Sequence, residues 1–190
     1  GVFVLVPLAL LDKRPGVTVN QVLRNWGLVF VGNLGGALMV AVMMSFIFTY
    51  GYNTDGGAIA AKVASIGESR TLGYSTHGVD GWMTVFIRGM LCNWMVSMGV
   101  VGAMISTSAT GKMAAMWMPI MLFFYMGFEH SIVNMFLFPF SMIMGGEFTV
   151  MDYIVWNELP TVLGNLVGGF VLVGLPLYYT HVKTSAERKL

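Results

Sequence analysis

The sequence predicts an all-α polytopic membrane protein, an inverted repeat of three passages with broken helices, and three observations carry that prediction. Only 10% of the 190 residues are charged while 56% are hydrophobic, and mean hydropathy is +0.75. A soluble domain of this size carries about 25% charged residues, so ten basic and nine acidic side chains cannot cover an ordinary globule. Runs at 28–49, 92–106, 113–128 and 161–179 are nearly uninterrupted apolar stretches at or close to transmembrane length. The chain also repeats itself. Pro7, Asn25 and Gly32-Asn33-Leu34-x-Gly36 recur as Pro139, Asn157 and Gly164-Asn165-Leu166-x-Gly168 with every spacing kept.

Taken in order, residues 1–11 are apolar but too short to span about 30 Å at 1.5 Å per residue. They lack the basic start and small-residue cleavage site of a signal peptide, and read as a half-span, the chain beginning inside a membrane segment. A polar loop at 12–25 leads to a span at 26–50. The polar stretch 51–81 holds a surface helix at 58–72, and the next span runs over 82–106. After a turn at 107–112, an apolar stretch is broken at Gly127-Phe128-Glu129-His130-Ser131-Ile132-Val133-Asn134. A loop at 145–157 and a final span at 159–179 complete the passages. The layout is one domain over 1–190: a partial first repeat 1–50, the loop 51–81, a second repeat 82–180 and a tail 181–190.

The broken stretch, 113–144, would extend about 48 Å as one helix, beyond the hydrocarbon thickness, yet neither piece beside the break spans alone. An unwound centre resolves this. Irregular backbone at membrane depth is tolerated where protein buries it or where it lines a cavity, so the break marks a candidate substrate path. Ser131 and Asn134 are N-cap residue types for the second half-helix, whose N-terminus aims partial positive charge at the break.

With three passages per repeat unit, the two copies run in opposite directions, the inverted plan of many transporters and channels. The pairs Gly32/Gly36 and Gly164/Gly168 read as close-packing surfaces. Asn33 and Asn165 are buried amides that either clamp an unwound strand or line the pore, because an unbonded amide in lipid is costly.

Lys13, Arg14, Arg24, Lys112, Lys183, Arg188 and Lys189 fall on one side of this layout and most acidic loop residues on the other. The positive-inside rule then makes the C-terminus and the 12–25 loop cytoplasmic. Glu129 and His130 stand as the titratable residues deep in a span, which reads as a functional site, with Glu129 suited to tying down free backbone N–H groups.

Other chemistry is excluded by what the residues lack. No basic cluster serves nucleic acid. Cys92 lies in an apolar run and reads as a small buried hydrophobe, and His77 and His181 read as solvated. No metal-ligand spacing, P-loop, dinucleotide motif or nucleophile elbow is present, so neither an enzyme, a cofactor nor ATP-driven transport is expected.

Gly127-Phe128-Glu129-His130-Ser131-Ile132-Val133-Asn134-Met135-Phe136, with Leu91-Cys92-Asn93-Trp94-Met95-Val96 and the two Gly-Asn-Leu repeats, resembles the formate/nitrite transporter family over 1–179. The stretch 92–136 is most similar to cyanobacterial and algal nitrite-type members. The resemblance implies an aquaporin-like protomer of six helices, a homopentamer with one pore per protomer, and passage of formate, nitrite or their weak acids across the bilayer. It implies a cell-membrane location, or the plastid envelope for an algal member. It also implies that His130 is the central pore histidine, Asn165 a polar pore neighbour, and Phe123 and Val96 parts of hydrophobic constrictions. The family's other broken helix carries a Leu-Phe-Thr-Gly turn facing the histidine; the resemblance matches Gly1 to that glycine, and so implies that the first helix and the first half of the second are missing from the sequence. A lysine that some formate channels place before the fourth helix aligns with His77, which weakens the inference that this vestibule attracts anions.

The function expected is therefore a proton-assisted anion channel, with protons as the second partner and Glu129, His130, Asn134, Asn165, Asn33, Phe123 and Val96 along the path. The alternatives are a hydrosulfide-type member and a neutral-solute pore. A membrane enzyme or a bundle using Glu129-His130 for packing is the reading from another class.

Overall fold

The computed structural model describes residues 5–184; Gly1 and the tail positions Arg188 and Lys189 lie outside the described residues. The described chain is helical throughout: α1 (Leu5–Leu11), α2 (Val19–Phe48), α3 (Gly57–Ser69), α4 (Leu72–Ser75), α5 (Gly78–Ile105), α6 (Ala109–Tyr125), α7 (Ser131–Ile143) and α8 (Val150–Lys183). By length and composition α2, α5 and α8 can cross a membrane.

Two helices start earlier than their apolar runs. Thr18 and Gln21 form a capping box, with Gln21 N–H donating to Thr18 Oγ1 at 3.3 Å and Thr18 N–H to Gln21 Oε1 at 2.9 Å. Thr149 and Asp152 do the same ahead of α8. Such caps contribute about 1 kcal/mol each and make helix of residues that read as polar loop. The expected loop 145–157 is thus half helix, and Asn157 and Glu158 become interior helix residues.

Helix α8 is wound in alternating α and π turns. The π stretches Ile154–Glu158 and Val167–Gly174 lie just ahead of Pro160 and Pro176. A proline ring lacks the N–H and crowds the carbonyl four residues back, and a wider turn makes room for it. There Leu159 N–H donates to the Ile154 carbonyl.

Close packing sets the crossing of α5 and α8. A Cβ at Gly164 would overlap the Phe86 carbonyl oxygen, and one at Gly168 that of Met90, so only glycine lets these backbones meet. Gly32 and Gly36 of the first copy meet nothing within 4 Å among the described residues, so their expected packing role is not filled there. On the far side α3 lies against α7, where Ala60, Ala41, Phe140 and Met144 form one buried cluster. The helix expected at 58–72 forms as Gly57–Ser69 with one face exposed, and its other face buttresses the second half-helix, with Ser141 Oγ donating to the Ala64 carbonyl at 3.3 Å. Cys92 is fully buried with Val96 and Phe123 where α5 meets α6.

The broken helix at Glu129-His130

Helix α6 stops at Tyr125 and α7 starts at Ser131, so the backbone unwinds between them, with Gly127 at φ +63°. The expected discontinuous helix is there. What holds its loose ends is Asn165, two turns along α8 from Glu158. Its Oδ1 accepts the Ser131 N–H at 3.1 Å, and its Nδ2 donates to the Glu129 carbonyl at 3.0 Å and to the Gly89 carbonyl of α5 at 2.9 Å. Of the two expected roles for this amide, the geometry realises the clamp.

Glu129 is fully buried, and its carboxylate binds side chains rather than the free backbone N–H groups expected of it. Oε1 accepts from Tyr74 OH at 3.1 Å; Oε2 accepts from Asn134 Nδ2 at 3.0 Å and Asn157 Nδ2 at 3.3 Å, with Arg70 Nη1 at 3.7 Å. Arg88 Nη1 donates to the same Tyr74 hydroxyl at 2.6 Å. Around one buried carboxylate stand two guanidiniums, one reached directly and one through Tyr74. A buried carboxylate persists only with such partners.

Asn134 caps nothing. The N-cap of α7 is His130, which makes no side-chain cap bond, and Asn134 Nδ2 instead donates to Glu129 and, at 2.6 Å, to Asn157 Oδ1. Ser131 also caps nothing; its hydroxyl donates to Glu158 Oε1, while Tyr153 OH donates to Glu158 Oε2 at 2.7 Å. Glu158 is 7% exposed, so a second buried carboxyl lies among the helices beside Glu129.

His130 stacks on Phe123 with ring centroids 5.7 Å apart and planes 21° from parallel. Its Nδ1 is buried with no hydrogen-bond partner among the described residues. Phe123 and Val96 are both buried. Asn33 of α2 lines a cavity of about 170 Å³ with Asn25, Ser131 and Asn165, which brings it to the α7 side of the break. His77 and His181 are exposed, as expected.

Sequence reading missed Arg70, Tyr74, Arg88, Asn157 and Glu158. Asn157 belongs to the repeat, which was a usable signal, and the Thr149-x-x-Asp152 box marks Glu158 as helical. Nothing local in the sequence points Arg70 or Tyr74 at a residue more than fifty positions away.

Apolar spanning helices packed around an unwound, side-chain-clamped turn define a membrane-transport fold. The formate/nitrite transporter family model matches residues 1–179. The chain is 35% identical over 183 residues to the "Probable formate transporter" of Methanothermobacter thermautotrophicus, covering 94% of this chain and 65% of the relative. It is 30% identical to the "Formate channel FocA" of Escherichia coli strain K12, covering 95% of this chain and 67% of that protein. A solved "Pentameric formate channel with formate bound" superposes with a TM-score of 0.69 at 26% identity, covering 88% of this chain and 69% of that one. The chain belongs to the formate/nitrite transporter family. It spans about two thirds of the length of the curated relatives it matches.

Proposed function

We propose that the intact protein is a transmembrane channel for small monovalent anions or their weak acids, formate and nitrite above all, with proton assistance from His130. The observation that carries this reading is the unpartnered His130 Nδ1, buried at an unwound turn with its ring stacked on Phe123. Moving a bare monovalent ion into a medium of dielectric about 4 costs of order 20 kcal/mol by the idealised Born estimate, so an anion alone does not pass the apolar residues Phe123 and Val96. Neutralising it removes most of that barrier.

The arrangement supports each step. The N-terminus of α7 opens at the break and adds partial positive charge, which favours an anion there. An imidazole nitrogen can take up and release a proton, and Nδ1 has no hydrogen-bond partner among the described residues. Asn165 and Asn134 hold the turn, the one through its backbone and the other through Glu129. Asn33 is assigned to the path as the first-copy counterpart of Asn165. The assembly is a homopentamer of such protomers, by analogy with the pentameric formate channel that this chain resembles. The membrane is the cell membrane, with the C-terminus on the cytoplasmic side given by the basic residues.

Flux into proteoliposomes of the intact protein tests this reading. Formate and nitrite uptake should rise as external pH falls and should far exceed glycerol uptake. Equal passage of glycerol and formate would instead establish a neutral-solute pore.

A further inference from the structure

Oε1 of Glu129 has one donor among the described residues, the Tyr74 hydroxyl at 3.1 Å, whereas Oε2 draws on Asn134, Asn157 and Arg70. Behind that hydroxyl stands Arg88, whose Nη1 donates to it at 2.6 Å and whose guanidinium carbon lies 5.7 Å from the Tyr74 ring centroid. The ion pairs among the described residues are Arg14 with Asp12 and Arg70 with Glu129, so the half-buried Arg88 meets no carboxylate directly. A guanidinium has only N–H groups to give, so the phenol oxygen accepts from Arg88 and its O–H is left for Glu129. Burial, and then the charge of Glu129, keep that proton on the oxygen, pushing the Tyr74 pKa up to about 12. A cation donating to a hydroxyl polarises it and strengthens the bond the hydroxyl makes in turn. The backbone fixes the arrangement as well. Tyr74 sits on α4, a single turn between α3 and α5, and a Cβ at Gly81 would overlap its carbonyl oxygen. The start of α5 thus grips the α4 backbone, and Arg88, about two turns further along α5, grips the Tyr74 side chain.

We propose, on the channel reading above, that Tyr74 and Arg88 are positioning residues for the break: Arg88, acting through the Tyr74 hydroxyl, fixes Oε1 of Glu129 and thereby the place of His130, the next residue. The chain of contact is short. Asn165 holds the Glu129 carbonyl and the Ser131 N–H on either side of His130, while Tyr74 holds the end of the Glu129 side chain. A buried carboxylate oxygen is costly to leave without a donor, so a Glu129 that loses Tyr74 turns toward other donors and pulls on the peptide beside His130. Arg88 is not instead a docking point for the anion. The walls of the polar cavity of about 500 Å³ on that side include Tyr74, His77, Asp80 and Thr84 but not Arg88, and the Asp80 carboxylate there opposes an anion.

Proteoliposomes of the intact protein test this, because Tyr74→Phe keeps the ring and removes only the hydroxyl. That variant should lower maximum formate flux about tenfold, the kinetic equivalent of one hydrogen bond to a charged group, with the half-saturating concentration unchanged. Arg88→Met should lower it in the same way, and Arg88→Lys, which keeps a charged donor, should recover most of the loss. Adding Arg88→Met to Tyr74→Phe should cost nothing more, since Arg88 acts through the hydroxyl. Wild-type flux in Tyr74→Phe overturns the proposal. So do losses that multiply in the double variant, and so does a raised half-saturating concentration in Arg88→Met alone, which would make Arg88 a docking residue. Infrared spectra give a reading that needs no flux: a carboxylate stretching band should shift in Tyr74→Phe and shift less in Arg88→Met. An unmoved band in Tyr74→Phe overturns the proposal. Should Arg88→Met not fold, the flux and the band of Tyr74→Phe decide it. A wild type that passes no anion while the band shifts removes the channel reading and leaves the hold on Glu129 standing.

Discussion

Asn165 and Ser131 are joined across the broken helix, the Asn165 Oδ1 accepting the Ser131 N–H at 3.1 Å. The same amide's Nδ2 reaches the Glu129 carbonyl, so one side chain fastens both sides of His130. A backbone opened at membrane depth has no water to satisfy it. The amide takes that part.

Removing the clamp should be costly. Asn165→Ala leaves the Ser131 N–H and the Glu129 and Gly89 carbonyls without this partner. With each buried orphan costing about 1–3 kcal/mol, a loss of at least about 3 kcal/mol is expected. Chemical unfolding in detergent measures it, and a change below about 1 kcal/mol would show that the turn is held elsewhere.

The glycine seam between α5 and α8 gives a steric prediction. Gly168→Ala drives a methyl into the Met90 carbonyl and should sharply reduce the yield of folded protein, whereas Gly27→Ala, which meets nothing within 4 Å among the described residues, should be tolerated. Monodispersity on gel filtration separates the two.

The Arg70–Glu129 pair predicts non-additivity. Arg70→Gln leaves a fully buried carboxylate short of its direct cation and should destabilise by about 3 kcal/mol, while the double variant Arg70→Gln with Glu129→Gln should recover much of that loss. Thermal unfolding of the wild type and the three variants closes the cycle. Equal losses in the single and double variants would show that the charge of Glu129 does not depend on Arg70.

Much of this was legible in the residues. The Glu129-His130 interruption, the apolar passages and the buried Cys92 follow from hydropathy and helix length alone. The clamp role of Asn165 was one of two readings, and choosing it needed the position of α8 relative to the break. Glu158 and Asn157 were hidden because polar residues before an apolar run read as loop, although the Thr149–Asp152 box carries the helix past them. Arg70, Tyr74 and Arg88 were hidden for another reason. Their bonds to the break span up to 57 residues of sequence, and the register between α3, α4, α5 and the turn is set by side-chain packing that no local pattern records.

The pH dependence of anion flux through His130→Phe, measured in proteoliposomes of the intact protein beside the wild type, tests the central claim most directly. The account predicts that the wild type carries formate or nitrite faster as the pH falls, and that the variant loses most of this proton-dependent flux while still folding. Unchanged flux in His130→Phe, independent of pH, would contradict it.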